Sequence, residues 1–408
     1  MTEELELIEE HIKKGIEETR QFTATKGAGV TRLPFTPEAM KCADYLSYKM
    51  TELGLHVSQD ASGAVIGVME GRSPERIMIG SHLDSVRHGG AYDGMAGILC
   101  GMEIASHYKR NNIIPPYTLE IVATNDEEGA RFGGGYFSSK AFLGMWTVDD
   151  LKRNKDRDGI SYYEAMRSAG LDPENIRSAE RKKEGWKGFV EIHIEQGPVL
   201  EKAEKELGIV SAIVAMERFY VTITGRADHA GTEPMEMRLD AMMEGAKIMD
   251  RINTYVRAHD GMVGTVGEVH LFPNEINVVP EKLIFSVDLR STKEEELTEC
   301  KELIKVCLAK AQDKGFDTLL TQTLSNSVTK MKAEWMEQLA VSSEHLQFSN
   351  MVIHSGAGHD AAVIGKEIDT VMLFVPSIGG RSHNPDEKSD ETVLAKAVLV
   401  IIDFLNRI

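Results

Sequence analysis

Short apolar runs that alternate with a helical segment constrain the fold of this chain more than any other feature. The runs "AVIGVME", "IMIGSHLD" and "LEIVATNDEE" each end in polar or glycine-rich residues. Between the last two, "GMAGILCGMEIASHYKR" has the apolar spacing of a helix. Strands that alternate with helices form a largely parallel sheet, so the sequence predicts an α/β layer. Functional residues of such sheets gather at the carboxyl ends of the strands.

Two helices are predicted before this layer, over residues 1–20 and 36–53. The second has Pro37 directly after Thr36, a residue that commonly caps the start of a helix.

The pattern changes near residue 213. "RFYVTIT" and "KLIFSVDLR" alternate apolar and polar residues, as half-buried strands do. Helices are predicted at about 235–257 and within "TKEEELTECKELIKVCLAKAQDKG", and the full order is βαββαβ, a split-βαβ sandwich. The alternation of helix and strand then returns. We therefore predict an α/β domain of residues 1–212 and 326–408, interrupted by an α+β domain of residues 213–325.

Composition limits the classes of function. The length of 408 residues fits two domains. The net charge of −18 argues against nucleic acid as a partner, because phosphate binding needs clusters of Lys and Arg. The cysteines form no CxxC pair, which is typical of reduced thiols, and no stretch approaches the roughly 20 apolar residues of a membrane span. We expect a soluble, cytoplasmic protein that binds neither nucleic acid nor membranes.

Histidines and carboxylates recur in strand-end or glycine-rich segments such as "GSHLDSVRHGGAYDG", "TNDEEGARFGGG", "EIHIEQGPV" and "GGRSHNPDE". Any one of them alone is typical of a structural histidine or a solvated acidic turn. Buried together, they cost free energy unless they are paired, and a divalent cation resolves that cost. Imidazole and carboxylate ligands without cysteine suit zinc, manganese, cobalt or nickel. The candidate ligands are His82, Asp84, Asp93, Glu127, Glu128, His193 and His383.

The motifs resemble the M20 metallopeptidase superfamily and, within it, the amidase/hydantoinase/carbamoylase branch. Their order along the chain is "GSHLDSVRHGGAYDG", "DEEGARF", "EIHIEQGPVLE", "DHAGTEPMEMRLDA", "NVVPEKLIFSVDLR", "SGAGHDA" and "FVPSIGGRSHNPDE". The branch contains N-carbamoyl-L-amino acid amidohydrolases, allantoate amidohydrolases and β-ureidopropionases. The resemblance implies hydrolysis of a carbamoyl or ureido C–N bond in a small ureido acid, with release of ammonia and carbon dioxide. "HSGAGHDA" and "FVPSIGGRSHNPDE" are slightly more similar to allantoate amidohydrolases.

The resemblance also implies two divalent cations per subunit, zinc first, with manganese, cobalt and nickel as alternatives. Asp93 would bridge the two cations. His82 and His193 would complete one site, and Glu128 and His383 the other.

The same resemblance assigns catalytic roles around these ligands. Asp84 would orient the imidazole of His82, and Glu127 would be the general base. His229 would stabilise the developing oxyanion from a lid domain, reaching the partner subunit of a homodimer.

Substrate contacts are expected largely from that inserted lid and dimerisation domain. Arg290 would bind a carboxylate with its guanidinium fork, although a surface salt bridge with Asp288 is the alternative. The other candidates are two amide side chains and two backbone N–H groups, at Gln196, Asn277, Gly356 and Gly358. His359 and Asp360 receive no role from the sequence.

Two alternatives to ureido hydrolysis remain open at this level. A dipeptidase or aminoacylase would use the same scaffold, although "HIEQG" and "GAGHDA" favour the carbamoylase branch. An inactive scaffold or binding protein would need neither Glu127 nor a complete set of ligands.

Overall fold

The computed structural model describes residues 2–408, which divide into two compact units. The first unit comprises the chain up to Ser211 together with Lys330–Ile408, and the second is Ala212–Thr329. Among the described residues, no helix is long and apolar enough to cross a membrane. The four cysteines are buried and form no disulfide.

Strands and helices alternate along most of the chain. The strands are β1 His56–Gln59, β2 Val65–Met69, β3 Ser73–His82, β4 Tyr117–Thr124, β5 Trp186–Ile194, β6 Leu207–Ile213, β7 Ala215–Thr224, β8 Val263–Thr265, β9 Val269–Phe272, β10 Lys282–Ser291, β11 Asp317–Asn326, β12 Thr329–Lys330, β13 Asn350–Ser355 and β14 Thr370–Val375. The α-helices are α1 Thr2–Thr19, α2 Pro37–Glu52, α3 Met95–Arg110, α4 Phe137–Phe142, α5 Val148–Arg153, α6 Tyr162–Ser168, α7 Val199–Lys202, α8 Ala241–Arg257, α9 Glu294–Gln312, α10 Ala333–His345, α11 Asp360–Ile364 and α12 Glu391–Leu405.

The first unit is built on a nine-stranded sheet in the order β1-β2-β4-β3-β5-β14-β6-β12, with β13 paired to β6. Its four central strands, β4, β3, β5 and β14, are parallel, and the neighbouring β2 and β6 are antiparallel to them. The predicted α/β layer is therefore confirmed. Because the central strands are parallel, their carboxyl ends lie along one edge of the sheet.

The predicted N-terminal helices are present and contribute to the core of this unit. α1 buries Ile8 and Ile12, and it packs with α3 and α12. α2 begins after Thr36, whose hydroxyl accepts a hydrogen bond from the Ala39 N–H at 3.4 Å, as the capping signal predicted.

The second unit is an antiparallel sheet in the order β11-β7-β10-β8, with β9 also paired to β10. α8 and α9 contact this sheet, and apolar residues of β10 such as Phe285 are buried while their neighbours are partly exposed. The βαββαβ order is confirmed, with the second predicted strand, "GTVGEVHLF", divided into β8 and β9. The prediction that a helix begins near residue 235 is wrong, because Asp240 caps α8 and Met235–Met237 forms a separate 3-10 turn. Met237 therefore precedes α8.

Candidate active site

Four parallel strands bring the predicted ligands to one edge of the large sheet. His82 is the last residue of β3, and His193 is the penultimate residue of β5. Glu127 follows the end of β4 by three residues, and His383 lies in the loop after β14. Asp93 comes from the loop that connects β3 to α3. The rule that side chains at the carboxyl ends of parallel strands converge accounts for this meeting.

The first group of ligand atoms consists of two imidazoles and one carboxylate oxygen. Asp93 Oδ1 lies 3.2 Å from His193 Nε2 and 3.6 Å from His82 Nε2, and the two Nε2 atoms are 3.4 Å apart. The opposite ring nitrogens face carbonyl oxygens: His82 Nδ1 is 3.0 Å from Asp84 O, and His193 Nδ1 is 2.9 Å from Ile194 O. An Nδ1–H that donates to a carbonyl leaves Nε2 as the metal-binding atom.

The second group shares Asp93 with the first. Asp93 Oδ2 lies 3.2 Å from His383 Nε2, which in turn lies 3.4 Å from Glu128 Oε2. Gln196 Nε2 donates to the same Asp93 oxygen at 3.2 Å. Asp93 is thus the only residue common to both groups, and each of its oxygens faces one of them.

These residues fit divalent cations. Asp93 Oδ1 and Glu128 Oε1 are buried and accept no hydrogen bond. Lone pairs of three imidazoles and two carboxylates converge in these groups, and such a set must hold either protons or a metal ion. His82, Asp93 and His193 can hold one cation, and Asp93, Glu128 and His383 a second.

Without a cation, the pKa values of the cluster are strongly displaced. Burial tends to raise the pKa of Asp93, but contacts with His193, His383 and His82 outweigh it and hold this pKa well below its ordinary value. Contact with Asp93 raises the pKa of His383 to about 9. Burial, followed by the nearby charge of Asp93, raises the pKa of Glu128 to about 8. A bound cation reverses the shift of Glu128, because it favours the ionised carboxylate.

The turn that carries Glu127 and Glu128 is anchored by a buried carboxylate. Asp84 Oδ1 accepts the Glu127 N–H at 3.1 Å, and Asp84 Oδ2 accepts the Glu128 N–H at 3.3 Å. The contact of Asp84 with the His82 ring is made by its backbone oxygen, and its carboxylate lies 3.9 Å from Nδ1. Asp126 starts the turn with a φ of 56°, a conformation that is costly for a residue other than glycine.

The two adjacent glutamates point to different surroundings. Glu128 belongs to the second ligand group, whereas Glu127 Oε2 lies 4.0 Å from His82 Nε2, beside the first. Burial raises the pKa of Glu127 well above its ordinary value. A carboxylate in that setting is suited to accept a proton near neutral pH.

Gly94 lets the Asp93 loop approach β3 closely. A Cβ on Gly94 would lie 2.4 Å from His82 O and 2.5 Å from His82 Nδ1, and its φ is 65°. Both the contact and the left-handed backbone require glycine here.

Sequence reasoning missed a buried layer behind the ligands. Glu191 accepts hydrogen bonds from Ser81 Oγ at 2.8 Å and from the Ala361 N–H at 3.0 Å. His359, which had no assigned role, packs its ring 4.5 Å from that of His193 and contacts Ser355 Oγ at 2.9 Å. A signal for Glu191 was available, since it lies two residues before His193 on the same face of an apolar strand.

Asp360, the other unassigned residue, is fully buried and serves the same layer. Its carboxylate accepts hydrogen bonds from the hydroxyls of Thr124 and Ser139. Thr124 ends β4, so Asp360 connects the start of α11 to the strand that leads to Glu127.

The predicted substrate residues lie in both units. In the first unit, Gln196 adjoins the second ligand group, and Gly356 and Gly358 belong to the loop after β13. In the second unit, His229 and Asn277 are exposed.

Arg290 makes the salt bridge that the sequence offered as an alternative. Its Nε donates to Asp288 Oδ1 at 2.9 Å, and Arg218 contacts the other oxygen of Asp288 at 2.6 Å. Arg290 and Asp288 lie on the partly exposed face of β10.

Comparisons with known proteins identify the family of this chain. The family model described as Peptidase family M20/M25/M40 matches residues 78–407, so the chain belongs to this family, as the motifs predicted. It is 38% identical to an N-carbamoyl-L-amino-acid amidohydrolase of Paenarthrobacter aurescens over 96% of each chain. It is 34% identical to the allantoate amidohydrolase of Escherichia coli strain K12, over 95% of this chain and 96% of that one.

A solved structure shares the whole fold. The crystal structure of an amidase of the hydantoinase/carbamoylase family from Burkholderia multivorans superposes with a TM-score of 0.89 at 29% identity, covering 98% of this chain and 97% of that one.

Proposed function

We propose that this protein is a binuclear metal-dependent amidohydrolase that cleaves the carbamoyl or ureido C–N bond of a small ureido acid. Its substrate is an N-carbamoyl-L-amino acid or allantoate, and it releases ammonia and carbon dioxide. The observation that carries the proposal is the pair of ligand groups that share Asp93 beside the Glu127 carboxylate. The names of the two relatives support the substrate class.

Two divalent cations, when bound, supply the Lewis acidity that activates water and polarises a carbonyl oxygen. Glu127 takes the proton from the attacking water and passes it to the leaving nitrogen. Asp84 serves this step indirectly, because its carboxylate holds the backbone N–H of Glu127 and so fixes where the base sits. Zinc is the cation that we propose first for these ligands. Manganese, cobalt and nickel are alternatives, because they also bind imidazole and carboxylate ligands.

Substrate binding is proposed for one arginine, two amide side chains and two backbone N–H groups. Arg290 binds the carboxylate of the ureido acid with its guanidinium fork, and Asp288 keeps that fork oriented on β10. The amides of Gln196 and Asn277 and the backbone N–H groups of Gly356 and Gly358 bind the polar atoms of the ureido acid.

Release of ammonia from ureido acids, and of free amino acids from dipeptides and N-acetyl amino acids, tests the reaction. We expect turnover of N-carbamoyl-L-methionine or allantoate and its loss with a chelator. Hydrolysis of dipeptides or N-acetyl amino acids in place of the ureido acids would instead identify a dipeptidase or aminoacylase. No turnover of any of these compounds by metal-loaded protein would identify a scaffold.

The second unit is proposed to act as a lid and to form a homodimer, with His229 reaching the partner's site. Its exposed large apolar side chains support an interface, because packing against a second copy would remove them from water. They include Met235, Met237, Met243, Val263, Phe272 and Ile276.

Subunit mixing tests this arrangement. His229→Ala and Glu127→Gln are each inactive alone, but their mixed dimer keeps one site with both groups intact. We expect about one quarter of wild-type activity, because half of the dimers are mixed and each has one working site. Glu127→Gln mixed with Glu128→Gln is the control, since both lesions lie in the same unit and no site is restored. Free subunit exchange without recovery would show that His229 does not act across the dimer.

A further inference from the structure

Glu387 makes a buried connection between the two loops that carry Asp93 and His383. Its Oε1 accepts the backbone N–H groups of Tyr92 and Asp93, both at 3.0 Å. Its Oε2 accepts the hydroxyl of Ser382 at 2.8 Å, one residue before His383. The side chain is only 5% exposed, so no water competes for these bonds.

The two ligands that Glu387 connects both lie in loops, outside the helices and strands. Asp93 lies in the loop before α3. His383 is 48% exposed at its side chain and has a φ of 54°, in a loop after β14. His82 and His193, in contrast, are fixed within β3 and β5. The second ligand group therefore depends on contacts between loops for its geometry.

The Asp93 loop is shaped to admit Glu387. A Cβ on Gly90 would lie 2.0 Å from Glu387 Oε1 and 2.4 Å from Glu387 Cβ. Only glycine leaves room for the carboxylate to reach the N–H groups of Tyr92 and Asp93. Ser382 extends the connection, because its Oγ also accepts Gln196 Nε2 at 3.2 Å, and Gln196 donates to Asp93.

We propose that Glu387 is a positioning residue that holds Asp93 and His383 at the spacing required by the second cation, the one shared by Asp93, Glu128 and His383. The inference rests on the two-cation site of the proposed function. Without Glu387, the second cation is lost first, because two of the three ligands of the first, His82 and His193, are kept in place by strands.

Three variants separate this role from general support of the fold. Glu387→Ala removes all three accepted hydrogen bonds. Glu387→Gln keeps an oxygen for the two N–H groups, and its amide donates to Ser382 Oγ. Glu391→Ala is the matched control, since Glu391 accepts the hydroxyl of the Tyr92 side chain at 2.7 Å and does not bond to the backbone of the Asp93 loop.

The measurement is Co²⁺ binding to the metal-stripped full-length chain, by equilibrium dialysis and by the visible absorption of bound Co²⁺, with no substrate present. In Glu387→Ala we expect the affinity for one of two ions to fall about 10- to 100-fold, the range found when a partner of a metal ligand is removed. Glu387→Gln and Glu391→Ala should bind both ions as the wild type does. Ser382→Ala should weaken binding of the same ion. It replaces Glu387→Ala in the experiment if that variant fails to fold.

If Glu387→Ala binds two Co²⁺ ions with the affinities of the wild type, the inference is overturned. It is also overturned if the affinities for both ions fall equally. A Glu387→Gln variant as impaired as Glu387→Ala would also overturn it, since hydrogen bonding would then not be the cause. Fewer than two ions on the wild type would refute the two-cation site itself, so that the two failures are distinguishable.

Discussion

At the scale of single residues, the neighbouring glutamates show how one turn presents two carboxylates to different surroundings. Asp84 binds both of their backbone N–H groups, so the side chains diverge from a fixed backbone. Glu128 then contacts His383, while Glu127 borders His82. Sequence alone placed two acids at the end of β4, and only the motif assigned their roles.

Glu127→Gln tests this division. The amide keeps the size of the side chain but accepts no proton, so turnover should fall on the order of 10²-fold or more while metal content stays at the wild-type level. Metal analysis and ammonia release on the same sample provide the measurement. Glu128→Gln is the comparison, and it should lose metal. Loss of metal from Glu127→Gln would mean that the two roles are exchanged.

The displaced pKa values predict how pH acts on the metal-free chain. The pKa of Glu128 is raised to about 8 in the fold, so its contribution to stability is complete below its ordinary value and is lost as pH rises through 8. His383, raised to about 9, acts in the same direction. The melting temperature of metal-free protein should therefore fall from pH 5.5 to 8.5. The difference in melting temperature between the metal-loaded and the metal-free protein, the gap, should widen over the same range.

Thermal melts at several pH values, with and without metal, measure this gap. In metal-free Glu128→Gln the melting temperature should fall less steeply with pH than in the metal-free wild type, because one titrating group is gone. A gap that stays constant with pH would contradict the assignment of these groups to the metal site.

At the scale of elements, the strands were predictable and the loops were not. His82 and His193 border apolar runs, and parallel strands present their carboxyl ends together, so their convergence followed from the pattern. The place of His383 depends on a loop with a left-handed residue, which has no periodic signal. Glu387 was missed for the same reason: its partners are backbone N–H groups nearly 300 residues away.

The helices of the second unit show the limit of periodicity. The apolar spacing of α8 predicted most of this helix correctly, but it placed the first residue of the helix too early. Asp240 determines the start, because its side chain accepts the Met243 N–H at 3.0 Å. A capping residue is therefore better than the apolar pattern at locating the end of an element.

Gly94→Ala tests the close packing of the Asp93 loop against β3. Alanine adds backbone strain at a φ of 65° and a Cβ 2.4 Å from His82 O, so metal affinity and melting temperature should both fall. Gly159→Ala is the matched control, since Gly159 has a φ of 80° with nothing within 4 Å of its Cβ. Gly159→Ala should lower the free energy of unfolding only by the backbone strain, about 1 kcal/mol, and leave metal binding unchanged. Equal effects of the two variants would contradict a steric role for Gly94.

At the scale of the whole molecule, the chain separates two tasks. The first unit carries the candidate ligands of both proposed cation sites, and its central parallel strands hold His82 and His193. The second unit is an insertion with its own core, sheet and helices, and it carries Arg290, His229 and Asn277. Metal binding is therefore expected to depend on the first unit.

We propose that two cations held by these ligands drive hydrolysis of a ureido acid. The most direct test is to strip the protein of metal and titrate it with Zn²⁺ or Mn²⁺ while ammonia release from N-carbamoyl-L-methionine and from allantoate is followed. We predict no turnover without metal and a rise that reaches its plateau at about two ions per chain. Full activity in the stripped, chelator-treated protein, or a plateau at one ion, would contradict the account.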